Sequence, residues 1–540
     1  MDSRWSIRGS ALGGDGWVIS VVAMRHGVVL VVVAFAISIG SLQVASQPLL
    51  VVIGDVGAHH ARILYDALDR SVVGEYAVAV ARAEGQVVVK DTLVIENAAR
   101  VWILTGLDEG TTYEIELVMS GRKPTTGRFA TLPPLGTPFT ILAVSCNNID
   151  ADKDSSFIEQ LMGRGDVANR LGTIHMGDQI YADHIFKSWK AGGRVGGYAE
   201  LLEKFRETYR RTWSYPSMRR LLSQAANWMV MDDHDIINNV DADHFRQGRN
   251  LLLRAGRQAL LEYQIQLRTD VMDMTSDGFL SPLDAHYERQ IGPIGFVFID
   301  TRLHRTFHYE PDHPFLGERQ LRQVSANIER FASDPSVQRV VIVTSVPLMF
   351  APSARLAYLA DLVEGDKLAS HRLHRRESGA LLDLAGRFSN QTTLLAGDVH
   401  MYLKSQICPT GQPQSSSCFE QVVTSGLTVA STASNQVKVL FFHFLCVFLG
   451  ARDLGGWSYA PVEVNVGHNA VLISSNGDAP FSVSPIFHMA PSRWAANAQA
   501  VFNWGFAVSV WAIPAFIVTG TVLTGTTYSM CCQRSRRVPN

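Results

Sequence analysis

Cysteine, tyrosine, histidine and aspartate recur at one kind of place in this chain, the last residues of apolar runs. PFTILAVS ends at Cys146. GTIHMG ends at Asp178, with Tyr181 three residues on. NWMVM ends at Asp232, Asp233, His234 and Asp235, and GFVFI at Asp300, with Arg302 close behind. TTLLAG ends at Asp398, followed by Val399 and His400. In open α/β sheets the carboxyl ends of the strands form the edge where ligands bind. An aspartate after any single strand is commonly a turn former or helix cap. Cys146 alone reads as a small buried hydrophobe and His234 alone as a core histidine. The functional reading rests on five coincident strand ends.

Gathered at one edge, Cys146, Asp178, Tyr181, Asp233, Asp398 and His400 make an anionic, oxygen-rich set. Without cations such groups repel one another and raise each other's pKa values. Deprotonating a free tyrosine at pH 7 costs about 4 kcal/mol, and a free cysteine about 2 kcal/mol. A multivalent metal supplies that energy, because a coordinated thiol or phenol loses its proton. Carboxylates can bridge two metals, and a metal pair is the clamp used in phosphoryl transfer. The expectation is a two-metal phosphoester hydrolase in which the metals polarise phosphate and generate a hydroxide nucleophile. A cysteine phosphatase would want an arginine six residues after Cys146, where the chain has Asp152. No HExxH, nucleophile-elbow or P-loop pattern is present. Asp232, Asp233 and His234 fall on no helical pattern.

The elements that position these residues change character along the 540 residues, a length that predicts two or more domains. Over residues 48–133, short alternating runs (ARILYDA, YAVAVARA, YEIELVMS, GRFATL) separated by turns predict an antiparallel β-sandwich. Within it, RVWILTGLDEGTTYEIEL is similar to the late strands of fibronectin type III-like domains. TLPPLGTP, residues 131–138, predicts a stiff linker. From Phe139 onward, apolar strands alternate with helical patterns. Examples are Tyr198, Leu201, Leu202, Phe205 and Tyr209, then Leu321, Val324, Ile328 and Phe331. That alternation predicts a layered α/β core.

Composition sets further bounds. Hydrophobic residues are 47%, charged residues 18% and the formal net charge is −2, so the bulk is globular. No block of like charge offers a nucleic-acid footprint. At the amino end, Arg4, Arg8 and Arg25 precede the apolar stretch Gly27–Ile39 and the small residues Val44-Ala45-Ser46. Residues 1–46 therefore read as a signal peptide or an uncleaved signal anchor. Residues 501–527 are long and apolar enough for a C-terminal transmembrane helix. Arg534, Arg536 and Arg537 then make 531–540 a cytoplasmic tail, in which Cys531 and Cys532 are palmitoylation sites or plain juxtamembrane cysteines. The expected topology is single-pass and type I-like, with a lumenal or extracellular body in the secretory pathway or at the cell surface. Cys408 and Cys418 flank a polar loop and predict a short disulfide in an oxidising compartment. Asn390-Gln391-Thr392 is a glycosylation sequon. The apolar stretch Val439–Leu449 is about half a span, and reads as a buried element or as a surface that touches lipid.

VSCNN, HMGDQIYAD, MDDHDIINN, FIDTR, FLGERQL and LLAGDVH occur in that order. Together they resemble the alkaline phosphatase D (PhoD-like) metallophosphatases, relatives of the purple acid phosphatases. The resemblance covers most of residues 48–475 and implies a four-layer αββα metallophosphoesterase domain, set here at 138–478. It implies Fe3+ held by Cys146, Tyr181, Asp178 and His400. It also implies that Asp178 bridges to one or more Ca2+ ions, with Asp233 and Asp398 as further oxygen ligands. On ligand type alone, zinc or another divalent metal stays open. His234 corresponds to the histidine that protonates the leaving alkoxide, and Asn238, Asn239 and Arg302 are phosphate-contact candidates, with a structural ion pair as the other reading of Arg302. Asp183 and His184 match no ligand position and read as loop residues. Two departures remove no ligand: Met231 stands where the family usually has tryptophan, and Asp235 where it has glutamate. The implied activity is that of a membrane-anchored alkaline phosphatase or phosphodiesterase acting on a small phosphoester. The alternatives are a phospholipase D-like enzyme acting on a phospholipid and a catalytically inactive surface binding protein on the same fold.

Overall fold

The structure is a computed structural model. It describes residues 47–151, 156–190, 197–240, 250–270, 285–306, 314–350, 374–411, 417–429, 456–476 and 479–488, together with three earlier strands as backbone. Those strands, β1 (Trp5–Ser10), β2 (Gly16–Ala23) and β3 (Val29–Val32), pair antiparallel into a small sheet of their own. The expected span at 501–527, the tail at 531–540 and the apolar stretch 439–449 lie outside the described residues. Among the described residues no helix is long and apolar enough to cross a membrane.

Seven strands follow: β4 (Leu49–Val56), β5 (His60–Ala67), β6 (Tyr76–Ala83), β7 (Gln86–Val94), β8 (Arg100–Thr105), β9 (Thr112–Val118) and β10 (Thr125–Ala130). They form one sheet ordered β4-β5-β8 and a second ordered β10-β9-β6-β7. The period-2 pattern explains the shared core. In β6, Ala77, Ala79 and Ala81 point inward, while Tyr76 and Val78 face solvent. By contrast β4, LLVVIGDV, is buried along its whole length. Its second face is covered by the body that follows. Asn227 Nδ2 donates to the Ile53 carbonyl at 2.8 Å, and Trp228 Nε1 to Asp55 Oδ1 at 2.9 Å. Buried Asp66 accepts from Tyr263 Oη at 2.5 Å and pairs with Arg210 at 3.3 Å. The linker expected at 131–138 therefore joins two bodies that share a packed and hydrogen-bonded seam.

The larger body is built on two mixed sheets. The first contains β11 (Phe139–Val144), β12 (Gly172–Met176) and β13 (Ala226–Val230), all parallel, with β21 (Asn469–Asn476) antiparallel to β11 and β22 (Ala479–Phe487) outside it. The second contains β14 (Tyr287–Ile291), β15 (Ile294–Ile299), β16 (Arg339–Thr344), β17 (Thr392–Ala396), β18 (Tyr402–Pro409), β19 (Phe419–Thr424) and β20 (Trp457–Asn465). Its order is β14-β15-β16-β17-β19-β18-β20, and β15, β16, β17 and β19 run parallel. The parallel strands are near-continuous apolar runs because both of their faces are covered. One cluster joins Ile141, Ile174 and Val230 of the first sheet to Phe296, Val343 and Leu395 of the second. On the outer face of the first sheet, Leu142 and Val144 pack with α1 (Ser156–Met162), α4 (Tyr198–Trp213), α5 (Pro216–Ser223) and α6 (Asn250–Tyr263). Two more helices, the short α2 (Gly165–Ala168) and α3 (Asp183–Lys190), belong to the same half. On the outer face of the second sheet, Val297 and Ile342 pack with α7 (Glu318–Ser333) and α8 (Arg375–Arg387). The helical stripe expected in α4 is buried at Leu201, Leu202, Phe205 and Tyr209, and that in α7 at Val324, Ile328 and Phe331. A disulfide joins Cys408 to Cys418 across the β18–β19 hairpin, and Asn390 is exposed in the turn before β17.

Candidate metal centre

All the parallel strands of both sheets deliver their carboxyl ends to one edge. β11 leads to Cys146, β12 to Asp178 and β13 to Asp232 and Asp233; β15 leads to Arg302, β17 to Asp398 and His400, and β19 to Ser425. The turns that follow are unusually sharp. Cys146, Asp178, Asn239, Asp398 and His400 all have positive φ, between 55° and 72°. Such backbone is costly for residues with a side chain and collects at functional sites. Gly177, with φ of 90°, supplies the turn before Asp178, and a Cβ there would overlap Asp232. A Cβ at Gly397 would overlap Ser145 and the Met176 carbonyl, so the two sheets touch edge to edge at this point.

The side chains converge. Tyr181 Oη donates to Asp178 Oδ2 at 2.9 Å and lies 3.1 Å from His400 Nε2. Cys146 Sγ is 2.9 Å from Ser425 Oγ, which accepts from the His400 backbone N–H, also at 2.9 Å. Among the described residues there are three groups whose ligand atoms, within each group, all lie within 4.8 Å of one another: Cys146, Asp178 and His400; Asp178, Asp233 and His234; and Asp232, Asp233 and Asp398. Asp178 belongs to the first two, so a single carboxylate joins a mixed sulfur–nitrogen–oxygen group to a carboxylate–imidazole group.

The electrostatics follow from burial of like charges. Burial pushes the Cys146 thiol well up, and the Asp178 carboxylate beside it adds to the effect. Tyr181 is raised for the same two reasons. Burial holds the Asp178 carboxyl well above its usual range; His234 opposes this, while Asp232, Asp233 and Asp235 reinforce it. Burial also takes His400 down to about 4, leaving a neutral imidazole with a lone pair to offer. The thiol and the phenol thus keep their protons, and the Asp178 carboxyl ionises against burial and its acidic neighbours, until a multivalent cation offsets the repulsion. The donor set fits such a cation, and its binding releases protons.

His234 sits at the rim with its side chain 19% exposed, its ring stacked on Tyr181 at 4.2 Å between centroids. Its Nδ1 is 2.6 Å from Asp183 Oδ2, and Asp183 Oδ1 accepts from the Asn238 N–H at 2.9 Å. Burial alone would lower the His234 pKa, but Asp178, Asp183 and Asp233 outweigh it and hold it up at about 10. Asp183 and His184, expected as loop residues, instead open helix α3, and Asp183 is the residue that fixes the His234 ring.

Arg302 carried two readings, a phosphate contact and a structural ion pair, and its side chain is 0% exposed. It is ion-paired to Asp232, and its other contacts run to Asp398 at 3.1 Å and Asp233 at 3.5 Å. It acts as an internal cation among those three carboxylates. Asn238 is exposed, and the Asn239 N–H is bonded to Asp233 Oδ2 at 2.6 Å. Asp235 receives the Gln179 and Asp232 N–H groups at 2.9 Å each and so ties the β12 and β13 loops together. Sequence reasoning missed Asp183, Asp232 and Ser425. Asp183 and Asp232 carried one signal, a carboxylate within five residues of a proposed ligand.

A carboxylate shared by two ligand groups, close to a thiol, a phenol and an imidazole and with an imidazole–carboxylate pair at the rim, suits a metal-dependent hydrolase. The model of the PhoD-like phosphatase family matches residues 141–443, more than half of the chain. The chain belongs to that family and is a hydrolase acting on phosphoester bonds. Its fold is similar to the solved structure of PhoD, at 15% identity and a TM-score of 0.58, over 81% of this chain and 88% of that one. A sensor domain of the anti-sigma factor RsgI4 from Pseudobacteroides cellulosolvens also aligns, at 13% identity and a TM-score of 0.14, over 17% of this chain and 99% of that one. Comparison with curated proteins returns no match.

Proposed function

We propose that the chain is a phosphomonoesterase or phosphodiesterase with a binuclear or larger metal centre, in which Asp178 is the bridging ligand. The observation that carries this reading is the position of Asp178 in two ligand groups at once. Cys146, Tyr181 and His400 would complete one site, for which a ferric ion suits the soft and phenolic donors. Asp233 and Asp398 would serve the other, for which calcium suits hard oxygen donors. Bound there, the metals supply positive charge for the phosphoryl oxygens and lower the pKa of a water nucleophile.

The chain's own residues have separable tasks. His234 holds a proton on the ring nitrogen away from Asp183 and delivers it to the leaving alkoxide. Asp183 fixes the ring's orientation and stabilises its charged form. Arg302 sets the Asp233 and Asp398 carboxylates from behind. Asn238 and Asn239, at the start of the next loop, are phosphate-contact candidates. The two packed sheets, each covered by helices, support the four-layer αββα reading. The strand orders β4-β5-β8 and β10-β9-β6-β7 support the fibronectin type III-like one. The Asp183–His234 pair favours an enzyme over an inactive binding protein, because a binding surface has no use for a proton donor beside metal ligands. A lumenal or extracellular body held by a C-terminal span remains our reading of the sequence, with the Cys408–Cys418 disulfide in support.

In the test, purified chain hydrolyses a p-nitrophenyl phosphoester, and Asp178→Asn lowers kcat/KM by at least about 1000-fold, equivalent to about 4 kcal/mol, while circular dichroism stays native. Undiminished turnover by the variant would remove Asp178 from the centre.

A further inference from the structure

Beside the metal centre, on the His234 side, a cavity of about 670 Å3 opens between α3, α4 and the loop after β11. Tyr181 and Asp183 form its inner wall, and these are the two side chains that hold His234, one by stacking and one by hydrogen bond. None of Cys146, Asp178, Asp233, Asp398 and His400 lines it. Of the proposed ligands Tyr181 alone lines it, so the space begins at the edge of the centre, beside the pair that holds His234.

Among the described residues its walls are polar and electrically balanced. Asn148, Lys187, Ser188, Glu207 and Thr208 line it, and Ile185 is the aliphatic contribution. Arg211 and Asp150 neutralise each other across the mouth in a two-point pair at 3.0 and 2.7 Å. Lys204 is occupied by Glu200 at 3.2 Å. That leaves one exposed cation, Lys187, and one exposed anion, Glu207, neither in an ion pair among the described residues. A wall of this kind offers donors and acceptors without a net charge. It is poorly matched to a polyanion, which would meet as many carboxylates as cations, and to an acyl chain, which would strip water from those groups without replacing their hydrogen bonds. The volume is within the range of small-molecule sites and far larger than a phosphate needs.

We propose that this cavity is the leaving-group subsite, and that it accepts a neutral, polyhydroxylated alcohol esterified to the phosphate cleaved at the metal centre. The inference rests on the phosphoesterase reading. The attacking water and the leaving alkoxide lie on opposite sides of phosphorus, and the leaving oxygen must reach His234 to be protonated. The rest of that alcohol then extends past Tyr181 and Asp183 into the cavity. Hydrolysis breaks the bond between phosphorus and the alcohol oxygen, phosphorus takes the water oxygen, and the alcohol takes its proton from His234. A polyol can be a free sugar phosphate or the headgroup of a phospholipid, and the two sources give different products.

The test compares glucose 6-phosphate with cyclohexylmethyl phosphate, which has the same ring size but no hydroxyls, in the full chain. The expected result is a kcat/KM at least about tenfold higher for the sugar ester, from two or more added hydrogen bonds. Ser188→Trp, which fills the cavity, should collapse that ratio toward one, and Lys187→Ala should lower it partway. Equal rates on the two esters, or a ratio unmoved by both substitutions, overturn the subsite while leaving hydrolysis intact. A chain that cleaves neither ester overturns the phosphoesterase reading and the subsite with it. On phosphatidylglycerol vesicles, release of free glycerol supports a lipid source, and cleavage of the soluble ester alone supports a soluble one. Release of glycerol phosphate places the lipid in the leaving position and contradicts the proposal.

Discussion

The front sandwich and the catalytic edge both need sharp reversals of the chain, and they make them with different residues. Between β5 and β10, positive φ falls on Gly74, Gly85, Gly106, Gly110 and Gly121, with Glu84 as the exception. At the catalytic edge it falls on Gly177 and Gly426 too, but mostly on residues with side chains: Cys146, Asp178, Asn239, Asp398 and His400. Glycine takes that conformation at no steric cost, so the sandwich turns carry no strain that a side chain would add. The edge accepts strain because the residue at the turn must also present a sulfur, a carboxylate or an imidazole. A non-glycine residue in this conformation costs of order 1–3 kcal/mol when the surroundings over-determine it, and here the packed seam between the two sheets does so.

Four substitutions probe that contrast. The largest effect is expected at His234, a rim residue in relaxed backbone. His234→Asn should lower kcat by about 100- to 10,000-fold, the usual contribution of a positioned proton donor, with bound metal retained. Loss of metal along with activity would make His234 a ligand instead. Arg302→Met should destabilise the fold by about 3–5 kcal/mol in denaturant titration, because it removes a buried guanidinium paired to the buried Asp232 carboxylate. A cost under about 1 kcal/mol would show that Asp232 is held by other partners. Asp183→Asn should cost about 10- to 100-fold in kcat and move the basic limb of the pH–rate profile to lower pH, because the Asp183 carboxylate helps hold the His234 pKa up, a change that a purely structural role would not produce. The smallest effect belongs to the sandwich. Glu84 and Gly85 form the two-residue turn between β6 and β7, where Asn-Gly is preferred. Glu84→Asn should stabilise the chain by about 0.5–1 kcal/mol and leave hydrolysis unchanged. A matching gain from a turn substitution at Asp398 without loss of activity would erase the distinction between the two regions.

The contrast also separates what could be read from the sequence from what could not. Each proposed ligand sits one to four residues beyond an apolar run, so its place at a strand end follows from local pattern. The alternation in β6 and the stripes of α4 and α7 are equally local. Asp183 and His234 are 51 residues apart, and Arg302 reaches carboxylates 70 and 96 residues away. No periodicity encodes such pairings, so Asp183 read as a loop residue and Arg302 stayed open between a phosphate contact and an ion pair with unnamed partners. The fusion of the two bodies was hidden for a related reason. β4 looks like any buried strand, and its second covered face emerges only when β13 and α5 lie beside it. Ser425 carried no signal, because a serine after a strand is an ordinary turn residue and its contact with Cys146 spans 279 positions.

In the proposed centre, Asp178 joins two cation sites built on strained strand ends. Elemental analysis of the purified chain, measured beside Asp178→Asn prepared in the same way, tests it most directly. The account predicts at least two metal ions per wild-type chain, with both sites depleted together in the variant because they share one carboxylate. A wild-type chain that binds fewer than two ions, or an Asp178→Asn variant that keeps its full complement, would contradict it.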